Sequence, residues 1–280
     1  MSDIYIVKEE NQVNNSEKAI GVFDSGIGGL TVVRSIVEAM PNENIIYFGD
    51  TAHVPYGTRS EEQITEYVMN DVKFLSSFDI KAVVIACNTA DSIAREKAEN
   101  AFDLPFYGVV KPTSKKAAEV TENGKIGVIA TSATVNSGAY EKAIYSFADD
   151  VQVMSIPCPL LVPLVENNRY KKNDNVIETV LKEYLEPLKE WGADTLVLGC
   201  THYPLLYDLI EEILPGVTLI SSSVEAANVL KEDLEKKNLL NKGEGGKKEY
   251  YVSDSPELFE KTAKTFLGDT LGGSVRCTMR

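Results

Sequence analysis

Two cysteines stand where buried strands give way to polar residues. The run AVVIACNTA, Ala82 to Ala90, reads as a strand that ends in Cys87, Asn88 and Thr89. A second run, DTLVLGCTHYP, ends in Cys200, Thr201 and His202. A thiol acts as nucleophile, metal ligand or proton carrier through its thiolate. After Cys87 the pattern turns helical, with Asn88 or Thr89 expected as the cap. The helix N-terminus is expected to draw the Cys87 pKa down from about 8.5. His202 is one of only two histidines, with His53, and beside Cys200 it can hold a charge or a proton. The pair fits a Cys-His nucleophile, a metal site or an acid–base couple. A structural zinc needs four ligands, and no second close Cys or His pair occurs. A catalytic zinc would need Cys87, Cys200 and His202 to converge.

Other stretches could complete such a site. FDSGIGGLTV places Asp24 and Ser25 at a strand end, followed by Gly26, Gly28 and Gly29. This is not G-x-G-x-x-G, and no Walker A pattern occurs, so a nucleotide has little support. A glycine-rich turn still presents backbone amides to a carboxylate. In GDTAHVPYGTRS, Tyr56 and Gly57 follow a proline and fit a rigid loop over a ligand. In CPLLVPLVENN, Glu166 is a weaker candidate that could lie near His202, and Cys158 reads as a buried core residue.

The elements that would position these residues are strands and helices in alternation. Short Val/Ile-rich runs alternate with amphipathic stretches such as 60–78 and 175–191. Continuous apolar strands between helices predict parallel sheets covered on both faces. The plan also repeats. IGVFDS begins at Ile20 and its next strand at Ile45; IGVIAT begins at Ile126 and its next strand at Val151, so both offsets are 25 (45 − 20 and 151 − 126). The third strand of each set ends in Cys-Thr or Cys-Asn-Thr. The expected fold is therefore α/β: two similar, pseudo-symmetric domains with mostly parallel sheets and a site in the cleft between them. The boundaries expected are a polar arm over 1–19, a first domain over 20–112 plus 223–280, and a second over 113–222. Ligands of open α/β sheets bind beyond the carboxyl ends of the strands, so Cys87 and Cys200 would face one another.

Bulk properties narrow the partners. The net charge of −14 disfavours nucleic acid. No window approaches the roughly 20 apolar residues of a membrane span, and the N-terminus lacks the pattern of a secretory signal. Four widely spaced cysteines, Cys87, Cys158, Cys200 and Cys277, suit free thiols in a reducing cytoplasm.

FDSGIGGLTV, GDTAHVPYG, ACNTA, ATSATVNSGAY, CPLLVPLVE and LGCTHYP, taken together and in order, resemble glutamate racemase over nearly the whole chain from Ile20. GCTHYP is the most telling, since aspartate racemases resemble it less well after Cys-Thr. Asp91, Lys111 and Thr113 depart from the pattern, which bears on packing or subunit contacts. The resemblance implies interconversion of L- and D-glutamate without metal or organic cofactor, supply of D-glutamate for peptidoglycan, and a homodimer. It implies Cys87 as the base for D-glutamate with Asp24 nearby, and Cys200 as the base for L-glutamate with His202 nearby. It implies Asp24, Ser25, Tyr56, Gly57, Asn88, Thr89, Thr201 and His202 as substrate binders. The chemistry agrees: racemisation needs one acid and one base on opposite faces of one carbon. Thiols about 3–3.5 Å from that carbon would lie about 6–7 Å apart, too far for a disulfide. The alternatives are a racemase for aspartate or another acidic amino acid, a thiol hydrolase using Cys200 and His202, and a non-catalytic ligand-binding protein.

Overall fold

The computed structural model describes residues 15–267 and 274–278. Residues 1–14 of the expected polar arm lie outside the described residues. Elements alternate along the chain: β1 (Ala19–Asp24), α1 (Leu30–Ala39), β2 (Ile45–Gly49), α2 (Glu61–Leu75), β3 (Ile80–Ile85), α3 (Asn88–Ala101), β4 (Phe106–Gly108) and α4 (Val110–Val120). Then come β5 (Lys125–Ala130), α5 (Ser132–Asn136), α6 (Ala139–Tyr145), β6 (Gln152–Pro157), α7 (Leu161–Glu166), α8 (Asn175–Trp191), β7 (Thr195–Gly199), α9 (Tyr207–Ile213) and β8 (Thr218–Ser221). The chain closes with α10 (Ser222–Lys236), β9 (Lys248–Val252), α11 (Pro256–Leu267) and β10 (Ser274–Cys277).

Apolar periodicity explains the helices. In α8, Ile177, Leu181, Leu185 and Leu188 recur on one face and are buried. Asp174 accepts Val176 N at its start, and Gly192 ends it with a left-handed φ of 78°. The central strands β1, β3 and β7 are buried along their length, β6 at the edge is partly exposed, and the strands pair in parallel, β1 with β2 and β3, and β5 with β6 and β7.

Two sheets result. One runs β10-β9-β2-β1-β3-β4 and the other β6-β5-β7-β8. Stripped of β9 and β10, the first has the order of the second, so the repeat read from the sequence is a repeat of topology. The equal spacing does not survive in the register. Ile20 pairs with Ile45, an offset of 25, but Ile126 pairs with Val153, an offset of 27. A shared strand order does not require loops of equal length.

One face of the first sheet packs under α2 and α3, with Phe23, Phe48, Val68 and Val72 in its core. The other face, with Ile20, Val22 and Val84, belongs to a second core that continues through Leu230 of α10 and Ala117 of α4 to Val128 and Leu196 of the second sheet. Asp91, one of the departures from the resembled pattern, is buried in the first turn of α3. Its Oδ2 accepts Val110 N at 2.7 Å at the start of α4, and a Cβ at Gly108 would come within 1.9 Å of Oδ1. The carboxylate thus caps a neighbouring helix in space that Gly108 leaves free.

Candidate active site

The carboxyl ends of β1 and β3 from one sheet and of β5 and β7 from the other line a single cavity of about 290 Å³. That lies near the lower end of ligand pockets, roughly 300–1,000 Å³, and suits a small metabolite. Ser25, Tyr56, Gly57, Cys87, Asn88 and Thr89 line it from the first sheet's side; Glu166, Cys200, Thr201 and His202 line it from the second. Asp24 is not on the wall. It is fully buried behind Ser25, with Oδ2 accepting Gly26 N at 3.0 Å. Burial raises its pKa, against the opposing pull of the His202 charge and the amides of Gly29 and Gly26.

Cys87 is itself the N-cap of α3 and makes no side-chain cap hydrogen bond. The expected cap at Asn88 or Thr89 is therefore displaced by one or two residues, because the polar pair begins the helix proper. The expected drop in the Cys87 pKa is also reversed. The thiol is 6% exposed, and burial, with the Asp24 charge second, pushes it up to about 12. The helix N-terminus contributes only an Ala90 amide and is outweighed. Cys87 Sγ lies 3.6 Å from Ser25 Oγ, and Cys200 is close enough for its charge to raise the Cys87 pKa further.

The opposite wall has the other polarity. His202 is buried, with Nδ1 3.9 Å from Cys200 Sγ and Nε2 3.0 Å from Glu166 Oε1. Burial alone would lower its pKa; hydrogen bonds and charge from Cys200 and Glu166 overcome this and raise it to about 10. The imidazole ring also meets Phe266 of α11 edge-on, with centroids 5.4 Å apart. Glu166, the weakest of the sequence candidates, therefore directly holds the far side of the histidine. One wall of the cavity carries a protonated thiol at neutral pH and the other a thiol beside an imidazolium.

The glycine turn after β1 makes this approach possible. A Cβ at Gly28 would fall 2.2 Å from Thr201 Oγ1 and 2.5 Å from the His202 ring. Thr31 Oγ1 then donates to the Thr201 carbonyl at 3.0 Å, tying α1 to the second sheet's strand end. Tyr56 lines the cavity, but its hydroxyl points away, 2.7 Å from Asp50 Oδ2 and 2.9 Å from Asp71 Oδ2. What Tyr56 and Gly57 can offer a ligand is ring surface and backbone.

Sequence reasoning passed over Thr131 and Ser132, which also line the cavity. Thr131 caps α5. Its hydroxyl closes a three-membered ring with Thr89 at 2.9 Å and Thr134 at 3.0 Å, and Thr89 meets Thr134 at 3.1 Å. The clue was available: IATS ends β5 as VFDS ends β1. Cys158, read as core, is buried and yet reaches the cavity wall. Among the described residues, no group of three or more His, Cys, Asp or Glu side chains is placed to hold a metal ion. Among the described residues, His202 is the one cationic side chain on the cavity wall, so two carboxylates entering here would meet mostly hydroxyls, the amides of Asn88 and Asn167 and backbone N–H groups.

Comparison with known proteins bears on this arrangement. The model of the Asp/Glu/Hydantoin racemase family matches residues 20–230. The chain belongs to that family. Among curated members, a glutamate racemase from Geobacter metallireducens is 46% identical over 257 residues, covering 91% of this chain and 94% of that protein. Among solved structures, a glutamate racemase isoform from Bacillus anthracis superposes with a TM-score of 0.90 at 40% identity, covering 94% of this chain and 98% of that one. The glutamate racemase of Francisella tularensis, solved with D-glutamate, superposes with a TM-score of 0.87 at 36% identity, covering 95% and 98%. The doubly built α/β architecture is thus that of solved racemases of this family.

Proposed function

We propose that the protein is a glutamate racemase that interconverts L- and D-glutamate with two thiols and no cofactor. The observation that carries the reading is the pair of buried cysteines at equivalent strand ends on opposite walls of one cavity. Cys87 keeps its proton at neutral pH, and the His202 imidazolium balances negative charge on Cys200 when Cys200 is the base. In that form Cys200 takes the α-proton of L-glutamate and Cys87 returns one to the other face, giving D-glutamate. The reverse begins with Cys87 as base, next to Asp24. The intermediate carries its charge on the α-carboxylate, where hydroxyls of Ser25, Asn88's amide, Thr89, Thr201 and nearby N–H groups can stabilise it. Tyr56 and Gly57 close the cavity, and Glu166 holds His202 in its cationic form.

The product would supply D-glutamate for peptidoglycan. The same reading places the protein in the cytoplasm as a homodimer; no described helix is long and apolar enough to cross a membrane. The test is proton NMR of L-glutamate with the protein in D₂O. Loss of the α-proton signal with accumulation of D-glutamate is expected. Exchange of L-aspartate at an equal rate would favour an acidic-amino-acid racemase of broader range, and no exchange with either would leave a hydrolase or a binding protein. Exhaustive chelation should leave the rate unchanged; loss restored by zinc would overturn the two-thiol mechanism.

A further inference from the structure

Behind the cavity, three helices meet at one side-chain amide. Asn88 opens α3 beside Cys87 and is 2% exposed. Its Oδ1 accepts the hydroxyl of Tyr140 of α6 at 2.5 Å, and its Nδ2 donates to Ser222 Oγ at the start of α10 at 3.4 Å. Tyr140 and Ser222 are themselves buried, at 2% and 0% exposure. The Tyr140 ring packs close against Gly199, the residue before Cys200: a Cβ there would lie 3.1 Å from Tyr140 Cε2. Tyr140 thus bridges the strand end that carries one thiol and the helix turn that carries the other.

The 2.5 Å between Tyr140 Oη and the Asn88 amide lies at the short end of the O–H···O range and below the N–H···O range, which begins near 2.7 Å. The oxygen of Asn88 therefore faces Tyr140, and its nitrogen keeps a second N–H after serving Ser222. A reversed amide would offer an acceptor where a carboxylate must bind.

We propose that Tyr140 is a positioning residue, which fixes the Asn88 amide so that an N–H is presented to a carboxylate of the substrate. The proposal rests on the glutamate racemase reading above. It assigns the ATSATVNSGAY motif a task beyond folding. It also makes correct orientation of a first-sheet binding group depend on a residue of the second sheet's helices.

A double-mutant cycle tests it, with kcat/KM for L-glutamate as the readout. Tyr140→Phe should lower kcat/KM about tenfold, a loss equivalent to about 1.4 kcal/mol, mostly through KM. Asn88→Ala should lower it further, and adding Tyr140→Phe to Asn88→Ala should change it by less than about twofold. Asn88→Asp, which replaces the N–H donor by an acceptor, should be at least as damaging as Asn88→Ala. Multiplied losses in the double variant, a harmless Asn88→Ala or an active Asn88→Asp would each overturn the proposal. If the parent protein racemises glutamate while any of these holds, the positioning alone fails; if the parent exchanges no α-proton, the racemase reading fails and takes the proposal with it. Should Tyr140→Phe not fold, Ser222→Ala frees the other end of the same amide, and its loss should likewise vanish in the Asn88→Ala background. A loss that persists there would refute the clamp.

Discussion

Replacing Glu166 by glutamine should move a pH limb rather than abolish activity. The side chain is isosteric, so the cavity keeps its shape. What is lost is a 3.0 Å contact between a carboxylate and the Nε2 of a buried imidazolium. A hydrogen bond to a charged group contributes about 1.5–3 kcal/mol, which is about 1–2 pKa units at 1.36 kcal/mol per unit. Glu166 is 32% exposed, so screening by solvent favours the lower part of that range. The His202 pKa of about 10 should then fall to roughly 8.5. At pH 7 both proteins hold the imidazolium, and rates should agree within about threefold. At pH 9.5 the protonated fraction drops about eightfold in the variant relative to the parent. The assay is the ratio of kcat/KM, variant to parent, followed by circular dichroism of L-glutamate from pH 6.5 to 10. The substrate amine titrates equally in both and cancels. A ratio that stays flat across that range would refute the argument. Stability should follow the same sign. A histidine whose folded pKa lies above its unfolded value of about 6.5 stabilises fully below that pH, and the contribution fades as pH rises through about 10. The variant should lose it at lower pH.

The two thiols should be separable in an irreversible reaction. The isomers of glutamate have equal free energy in water, so kcat/KM must be the same in both directions for any variant, and racemisation cannot report one face alone. Elimination of HCl from threo-3-chloroglutamate can: Cys87→Ser should retain it mainly with the L-configured substrate and Cys200→Ser mainly with the D-configured one, and equal rates on both would sink the facing-base mechanism. Gly28→Ala should cost on the order of 1–3 kcal/mol of stability and at least a hundredfold in kcat/KM, because its methyl would fall 2.2 Å from Thr201 Oγ1; a fully active variant would show that the turn is free to move. Tyr56→Phe should lower stability by about 1.5–3 kcal/mol through the hydrogen bonds lost by the Asp50 and Asp71 carboxylates while KM changes less than threefold; a large rise in KM with unchanged unfolding would put the hydroxyl in the cavity instead.

The alternation of strands and helices and the two cysteines could be read from the chain because they are written as patterns: strand-length apolar runs between amphipathic stretches, the third run of each set closed by a thiol and a threonine. The strand orders β2-β1-β3-β4 and β6-β5-β7-β8 are set by how the crossovers pack and come from the structure. What could not be read depends on solvent access. A helix N-terminus after Cys87 is visible in sequence, but the burial that overrides it belongs to the packed structure. The side to which the Tyr56 hydroxyl turns depends on Asp50 and Asp71, which no local spacing brings together. The threonine ring was missed for a different reason. Hydroxyls are common at helix starts, and only the equivalence of β5 to β1 marks these ones.

The core that runs unbroken from β1 through α4 and α10 to β5 and β7 has a consequence for how the molecule comes apart. Two domains joined by a polar seam would melt separately. Here the seam is hydrocarbon: Val22, Ile36, Val84 and Leu230 share one buried core with Val128 and Leu196. Calorimetry should therefore record one cooperative transition, and neither half-chain should fold when expressed alone. Although the architecture looks like a duplication, its two copies should unfold as a single thermodynamic unit. A substitution at the floor of either sheet would then be felt at both thiols, through the population of the whole native state.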